Sequence, residues 1–169
     1  MREQNRLEHI LNILSSYKKA AAENKGYLPL HIFLQNYFKQ NKQMGSRDRR
    51  LASATLYNYF RLGKALPALA DKEKIALGAF LCEREESPFI NFLLTQLPFE
   101  AKELLNKPIQ QKLQSIQEAY PDFLLSDILK FNQELSDDLG KDAFYQSFLI
   151  RPKVFLRSKK GFDKQVTQE

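Results

Sequence analysis

A single cysteine in 169 residues excludes an intramolecular disulfide. That residue is Cys82, and a lone thiol fits a reducing, cytoplasmic setting. Histidine is almost as scarce. His9 and His31 are the only two, and with Cys82 they offer no zinc-ligand spacing. The glycines at 26, 45, 63, 78, 140 and 161 are scattered, which leaves no glycine-rich loop to cradle a phosphate. No apolar run approaches the roughly 20 residues that a membrane helix requires. The opening Met1-Arg2-Glu3-Gln4-Asn5-Arg6 leads into an amphipathic segment rather than an apolar one, so no secretory signal is expected. Internal repeats and low-complexity tracts are also missing.

What is present suits a globular chain. Hydrophobic residues make up 43% of it, 13 of them Phe, and the length gives room for one domain and a piece of another. The net charge of +6 is unevenly spread. Residues 1–66 hold 12 Lys and Arg against 4 Asp and Glu, a local charge of +8. Residues 67–149 carry −6 and residues 150–169 carry +4. Clustered Lys and Arg are what attract phosphate, so any polyanion-binding surface is expected in the first 66 residues, with the tail as a second place. The acidic middle is not expected to serve as a nucleic-acid platform.

Helical periodicity accounts for most of the chain. Leu7, Ile10, Leu11 and Leu14 recur at i, i+3, i+4, i+7, predicting a helix over about 4–19 that the alanines at 20–22 can extend. Pro29 suits a first helical position ahead of Leu30, Phe33, Leu34, Tyr37 and Phe38, a stripe reaching about residue 42. Asp71 is placed to cap an amphipathic helix with Ile75, Leu77, Phe80 and Leu81, and Ser87-Pro88 opens another helix. A short helix is expected within 99–105. Pro108 opens one with the stripe Ile109, Leu113 and Ile116, which Tyr120-Pro121 ends. Helix is expected again over Phe123–Leu135 and Asp142–Phe148. From Ile150 the pattern changes: Lys153 to Arg157 alternates like a strand, and Phe162 can begin a helix. One strand cannot complete a sheet. The expectation is therefore an all-α helical domain over 1–149, with a core of about 5–105 and a helical connector of about 106–149. Residues 150–169 would be the start of a truncated α/β domain.

The stretch from Gly45 to Gly63 carries the chemistry. It reads as one helix, broken before by Gly45 and stopped by Gly63. Ser46 is expected to cap its start, Asp48 to set a carboxylate at the positive end of the dipole or pair with a buried arginine, and Arg49 to help hold that end. At about 100° per residue, Leu51, Ala52, Thr55, Leu56, Tyr59, Phe60 and Leu62 share one half of the cylinder. Arg47, Arg50, Tyr57, Asn58 and Arg61 share the other. They combine groups that contact phosphate, stack on a base and hydrogen-bond a base edge, which makes them the candidate RNA-binding residues. A solvated arginine face that pairs with the acidic middle of the chain is the alternative. No catalytic constellation and no metal site is expected. His9 and His31 read as surface or boundary histidines, Cys82 as a buried thiol, and Glu83, Glu85 and Glu86 as a solvated helix end.

Gly-Ser-Arg-Asp-Arg-Arg-Leu at 45–51, with Tyr57-Asn58-Tyr59-Phe60-Arg61-Leu62-Gly63, resembles the amino-terminal region of the Sun/Fmu family of bacterial rRNA cytosine-5 methyltransferases. Leu7 to Leu14 and Leu30 to Phe38 resemble that family's first helices. Phe148-Leu149-Ile150-Arg151-Pro152-Lys153-Val154-Phe155-Leu156-Arg157 resembles the strand that opens its next domain. The resemblance implies a NusB-like multi-helix bundle, a domain type shared with the transcription antitermination factor NusB. It further implies a partner RNA that is ribosomal, an S-adenosylmethionine cofactor for the longer parent enzyme, and docking onto the parent's own catalytic domain. The family's S-adenosylmethionine loop, its acidic ribose contact and its Pro-Cys and Thr-Cys cysteines have no counterpart here, since Cys82 sits in Leu-Cys-Glu. The chain alone is therefore expected to bind no cofactor and to methylate nothing. Two other readings are a stand-alone NusB-like antitermination factor without enzymatic activity and a helical module that docks an acidic protein. Continuation of the open reading frame through the methyltransferase motifs would favour the enzyme over the antitermination factor. No membrane partner is expected, and a homodimer through the many Phe residues is open.

Overall fold

Lys74 through Leu81 are all buried, eight in a row, so the helix that holds them has no solvent face over two turns. A helix apolar all round belongs at the centre of a bundle. The computed structural model describes residues 2–24, 27–129, 131–136 and 138–150, and within them the chain is all-α. In order the helices are α1 (Glu3–Glu23), α2 (Leu30–Gln40), α3 (Ser46–Arg61), α4 (Asp71–Cys82), α5 (Pro88–Leu94), α6 (Ala101–Leu104), α7 (Ile109–Ala119) and α8 (Lys141–Phe148). The expected strand at 153–157 and the helix start at Phe162 lie outside the described residues.

Around α4 stand α1, α3, α5 and α7. The α3–α4 crossing is close because Gly78 has no side chain: a Cβ there would lie 2.7 Å from the Asn58 carbonyl oxygen. Leu7, Ile10 and Leu14 of the predicted stripe are buried in α1 together with Ile13, while Leu11 is only half-buried, and the helix gains a turn from its alanines. Leu56, Leu62, Phe80, Phe89 and Leu93 share one hydrophobic cluster with Ile116, Phe123, Ile128, Tyr145 and Leu149. Residues 106–149 thus contribute to the same core as residues 5–105.

Three local expectations are corrected. Asp71 is the first residue of α4 rather than its cap, and its carboxylate binds across the bundle: Lys18 Nζ of α1 at 2.6 Å and the Tyr59 hydroxyl of α3 at 2.7 Å both donate to Oδ1. Residues 74–81 are buried on every side rather than on one stripe. Phe123–Leu135 is not one α-helix but two short 3-10 turns, Leu125–Ile128 and Asn132–Glu134. The loop after α3 takes its backbone: Lys64 N–H donates to the Asp127 carbonyl at 2.8 Å, and Gly63 lies against Ile128. Ser87 does cap α5 as expected, its hydroxyl accepting from Ile90 N–H at 3.1 Å. No helix among the described residues is long and apolar enough to cross a membrane.

Candidate nucleic-acid interface

The start of α3 is tied down by charge. Gly45, not Ser46, occupies the cap position, and no side chain caps the helix. Ser46 is exposed and already helical. Asp48 accepts from Arg6 Nε at 3.2 Å, and Arg6 also donates to Glu3 at 2.8 Å. Arg49 reaches back to the Asn41 and Lys42 carbonyls at 3.4 and 3.2 Å, with its guanidinium over the Phe38 ring. Asp48 and Arg49 therefore serve the helix start, and Ser46 does not. At the other end Gly63 takes a left-handed φ of 53°, and a Cβ there would lie 2.2 Å from the Ile128 carbonyl oxygen. Only glycine combines that angle with that approach.

Of the five predicted site residues, the structure leaves three open to solvent, buries Asn58, and ties the half-buried Arg61 to backbone carbonyls. Arg47 and Arg50 are exposed and make no ion pair among the described residues. Tyr57 is 43% exposed on the same face. Asn58 is 8% exposed, and its amide donates to Glu83 Oε1 at 2.7 Å. A base edge cannot reach a side chain so covered. Arg61 donates through Nη1 to the Phe148 and Ile150 carbonyls at 2.7 and 2.9 Å, which satisfies free carbonyls at the end of α8. The exposed cationic face is thus Arg47, Arg50 and Tyr57, and it ends where α8 meets α3.

At that end lies a cleft of about 330 Å³. The loop after α4, the entry to α7 and the end of α8 enclose it, with Cys82, Glu83, Arg84, Lys107, Lys112 and Ile150 among its walls. Lys112 is 2% exposed. Its Nζ donates to the Phe80 and Glu83 carbonyls at 2.8 and 2.7 Å, so a lysine of α7 closes the C-terminus of α4. Burial, reinforced by the Arg84 charge, pushes the Lys112 ammonium down to about 8. Burial also pushes the Cys82 thiol up to about 12, which keeps it protonated and unreactive. The sequence held a signal for Lys112: Ile109, Lys112, Leu113 and Ile116 have the i, i+3, i+4, i+7 spacing, so the lysine occupies a position of the buried stripe.

A smaller cavity of about 110 Å³ lies between α1 and the start of α3, beside His9, Met44 and Leu51. His9 is half-buried, and its Nε2 has no hydrogen-bond partner among the described residues. Glu83 is spent on Asn58 and Glu86 on Asn91. No three His, Cys, Asp or Glu side chains gather as a metal site among the described residues.

Fold and surface together define a class, an all-α bundle whose third helix shows an arginine face left unpaired among the described residues. No family model matches the chain, and neither a curated protein nor a solved structure matches it significantly.

Proposed function

We propose that this chain is the RNA-binding and positioning region of an S-adenosylmethionine-dependent rRNA cytosine-5 methyltransferase of the Sun/Fmu type, acting in the cytoplasm beside a catalytic domain outside this sequence. One observation carries the RNA reading. Arg47 and Arg50 stand in solvent without a carboxylate partner among the described residues, although the middle of the chain holds 14 acidic residues. Two guanidiniums and a tyrosine ring on one helix face form a phosphate-contacting and base-stacking surface. The methyltransferase part of the reading rests on the Ser-Arg-Asp-Arg-Arg resemblance.

The test is RNA binding across a salt series. Affinity for a single-stranded rRNA fragment should fall with salt, and Arg47→Ala with Arg50→Ala should reduce the log–log slope by about 0.7 for each phosphate no longer neutralised. Equal affinity and slope in parent and double variant would discard the arginine face as the RNA surface.

A further inference from the structure

The two α3 candidates that have partners in the fold, Asn58 and Arg61, both touch the cleft wall. Asn58 holds the carboxylate of Glu83, and Arg61 holds the Ile150 carbonyl, so the exposed line Arg47, Arg50, Tyr57 runs off its C-terminal end into the cleft. From residue 47 to residue 61 the rise is about 21 Å. Within the cleft the cations are Arg84, Lys107 and Lys112, facing the carboxylates Glu83 and Glu85. Glu83 is turned aside by Asn58, and Arg84 and Lys107 are exposed without an ion pair among the described residues. Lys112, 2% exposed, spends two N–H groups on carbonyls and its Nζ lies 5.3 Å from the Phe80 ring centroid, so it lends the cleft its charge rather than a free donor. Apolar Ile109, Leu149 and Ile150 complete the walls.

We infer that this cleft is an anion pocket that takes a phosphate group of a nucleotide, bound by the exposed Arg84 and Lys107 with the buried charge of Lys112 in its wall, at the end of the track begun by Arg47 and Arg50. The anion pocket follows from the cleft's own charges, whereas the choice of phosphate rests on the RNA reading of α3. A bound anion relieves the repulsion between Arg84 and the buried ammonium.

Two phosphate sources are separated by two probes: adenosine 5′-monophosphate, and a single-stranded RNA oligonucleotide with hydroxyl ends. The nucleotide, followed by amide chemical shifts, should perturb Arg84, Lys107 and Ile109. Arg84→Ala with Lys107→Ala, both exposed and harmless to the fold, should weaken its binding roughly tenfold, about the effect of one charge-assisted hydrogen bond. Binding should also weaken as pH rises through about 8, because neutral Lys112 no longer adds its positive charge to the cleft wall. The phosphate monoester is dianionic throughout that range. The other titratable groups facing Lys112 are Cys82, Glu83 and Glu85 beside Arg84, Lys107 before α7, and Arg61 near the Cys82 end.

Arg47→Glu with Arg50→Glu should weaken the oligonucleotide and leave the nucleotide unchanged. Absence of nucleotide shifts, indifference to the cleft double variant, a flat profile across pH 8, or equal binding of acetate would each overturn the pocket. Oligonucleotide binding through α3 without nucleotide binding would overturn the pocket alone. The reverse result would keep the pocket and discard the RNA reading.

Discussion

Arg61 and Arg47 have the same chemistry and opposite duties. The Arg61 guanidinium satisfies two carbonyls at the end of α8, whereas Arg47 stands exposed to solvent. Arg61→Ala should therefore lower stability by about 1 kcal/mol, the value of an ordinary hydrogen bond, because partial exposure screens the charge. Arg47→Ala should leave stability within about 0.5 kcal/mol of the parent, as a surface change does. Urea unfolding midpoints check both. Asn58→Ala deprives Glu83 of its donor and should cost about 1–2 kcal/mol by the same measurement. The 3.6-residue period gave the five candidates one common face, and that assignment of phase is geometrically sound. What period does not contain is the neighbour. Glu83 lies 25 residues away from Asn58, and the carbonyls lie 87 and 89 residues from Arg61. No local pattern announces such partners.

Among elements, those whose apolar spacing is amphipathic were legible and those governed by their neighbours were not. α1, α5 and α7 fall where stripes, caps and prolines put them. α4 reads as one-sided when only its large side chains are counted, while Ala76, Gly78 and Ala79 are buried as well, against the neighbouring helices. Small residues read as neutral in a pattern and act as packing surfaces in a bundle. Residues 123–135 have the apolar content of a helix, yet they form short 3-10 turns in which the Asp127 carbonyl serves the α3–α4 loop. That dependence makes Gly63 sensitive. Gly63→Ala places a Cβ in a left-handed conformation against a backbone carbonyl at 2.2 Å. It should cost about 1–3 kcal/mol from backbone strain alone, and hydrogen exchange should show faster opening at Lys64 and the 125–128 turn. Faster exchange spread evenly over the bundle would mean that the close approach has no local effect.

For the whole molecule, pH reads how the buried groups are distributed. Below pH 4 Asp71 contributes to the acid response. Partial burial pushes its carboxyl up, but hydrogen bonds from Lys18 and Tyr59 outweigh that and hold it below 3.8. Its contribution is present above the unfolded value and is lost as pH falls through the lower, folded one. On the alkaline side two larger effects oppose each other. Lys112 is held at about 8 against an ordinary 10.5, so between those values the unfolded chain binds more protons and stability rises with pH. Cys82 is held at about 12 against an ordinary 9.0, so above pH 9 the unfolded chain binds fewer protons there and stability falls. Tyr17, Tyr59 and Tyr120, all raised by burial, add to the fall above pH 10. Stability should therefore climb from pH 8 to 9, level off to about pH 10 and then decline. Lys112→Met keeps a side chain of similar length without the titrating amine. In this variant the climb should vanish and the decline begin near pH 9, measured as unfolding midpoints across that series. A climb that survives the substitution would assign the alkaline rise to some other group.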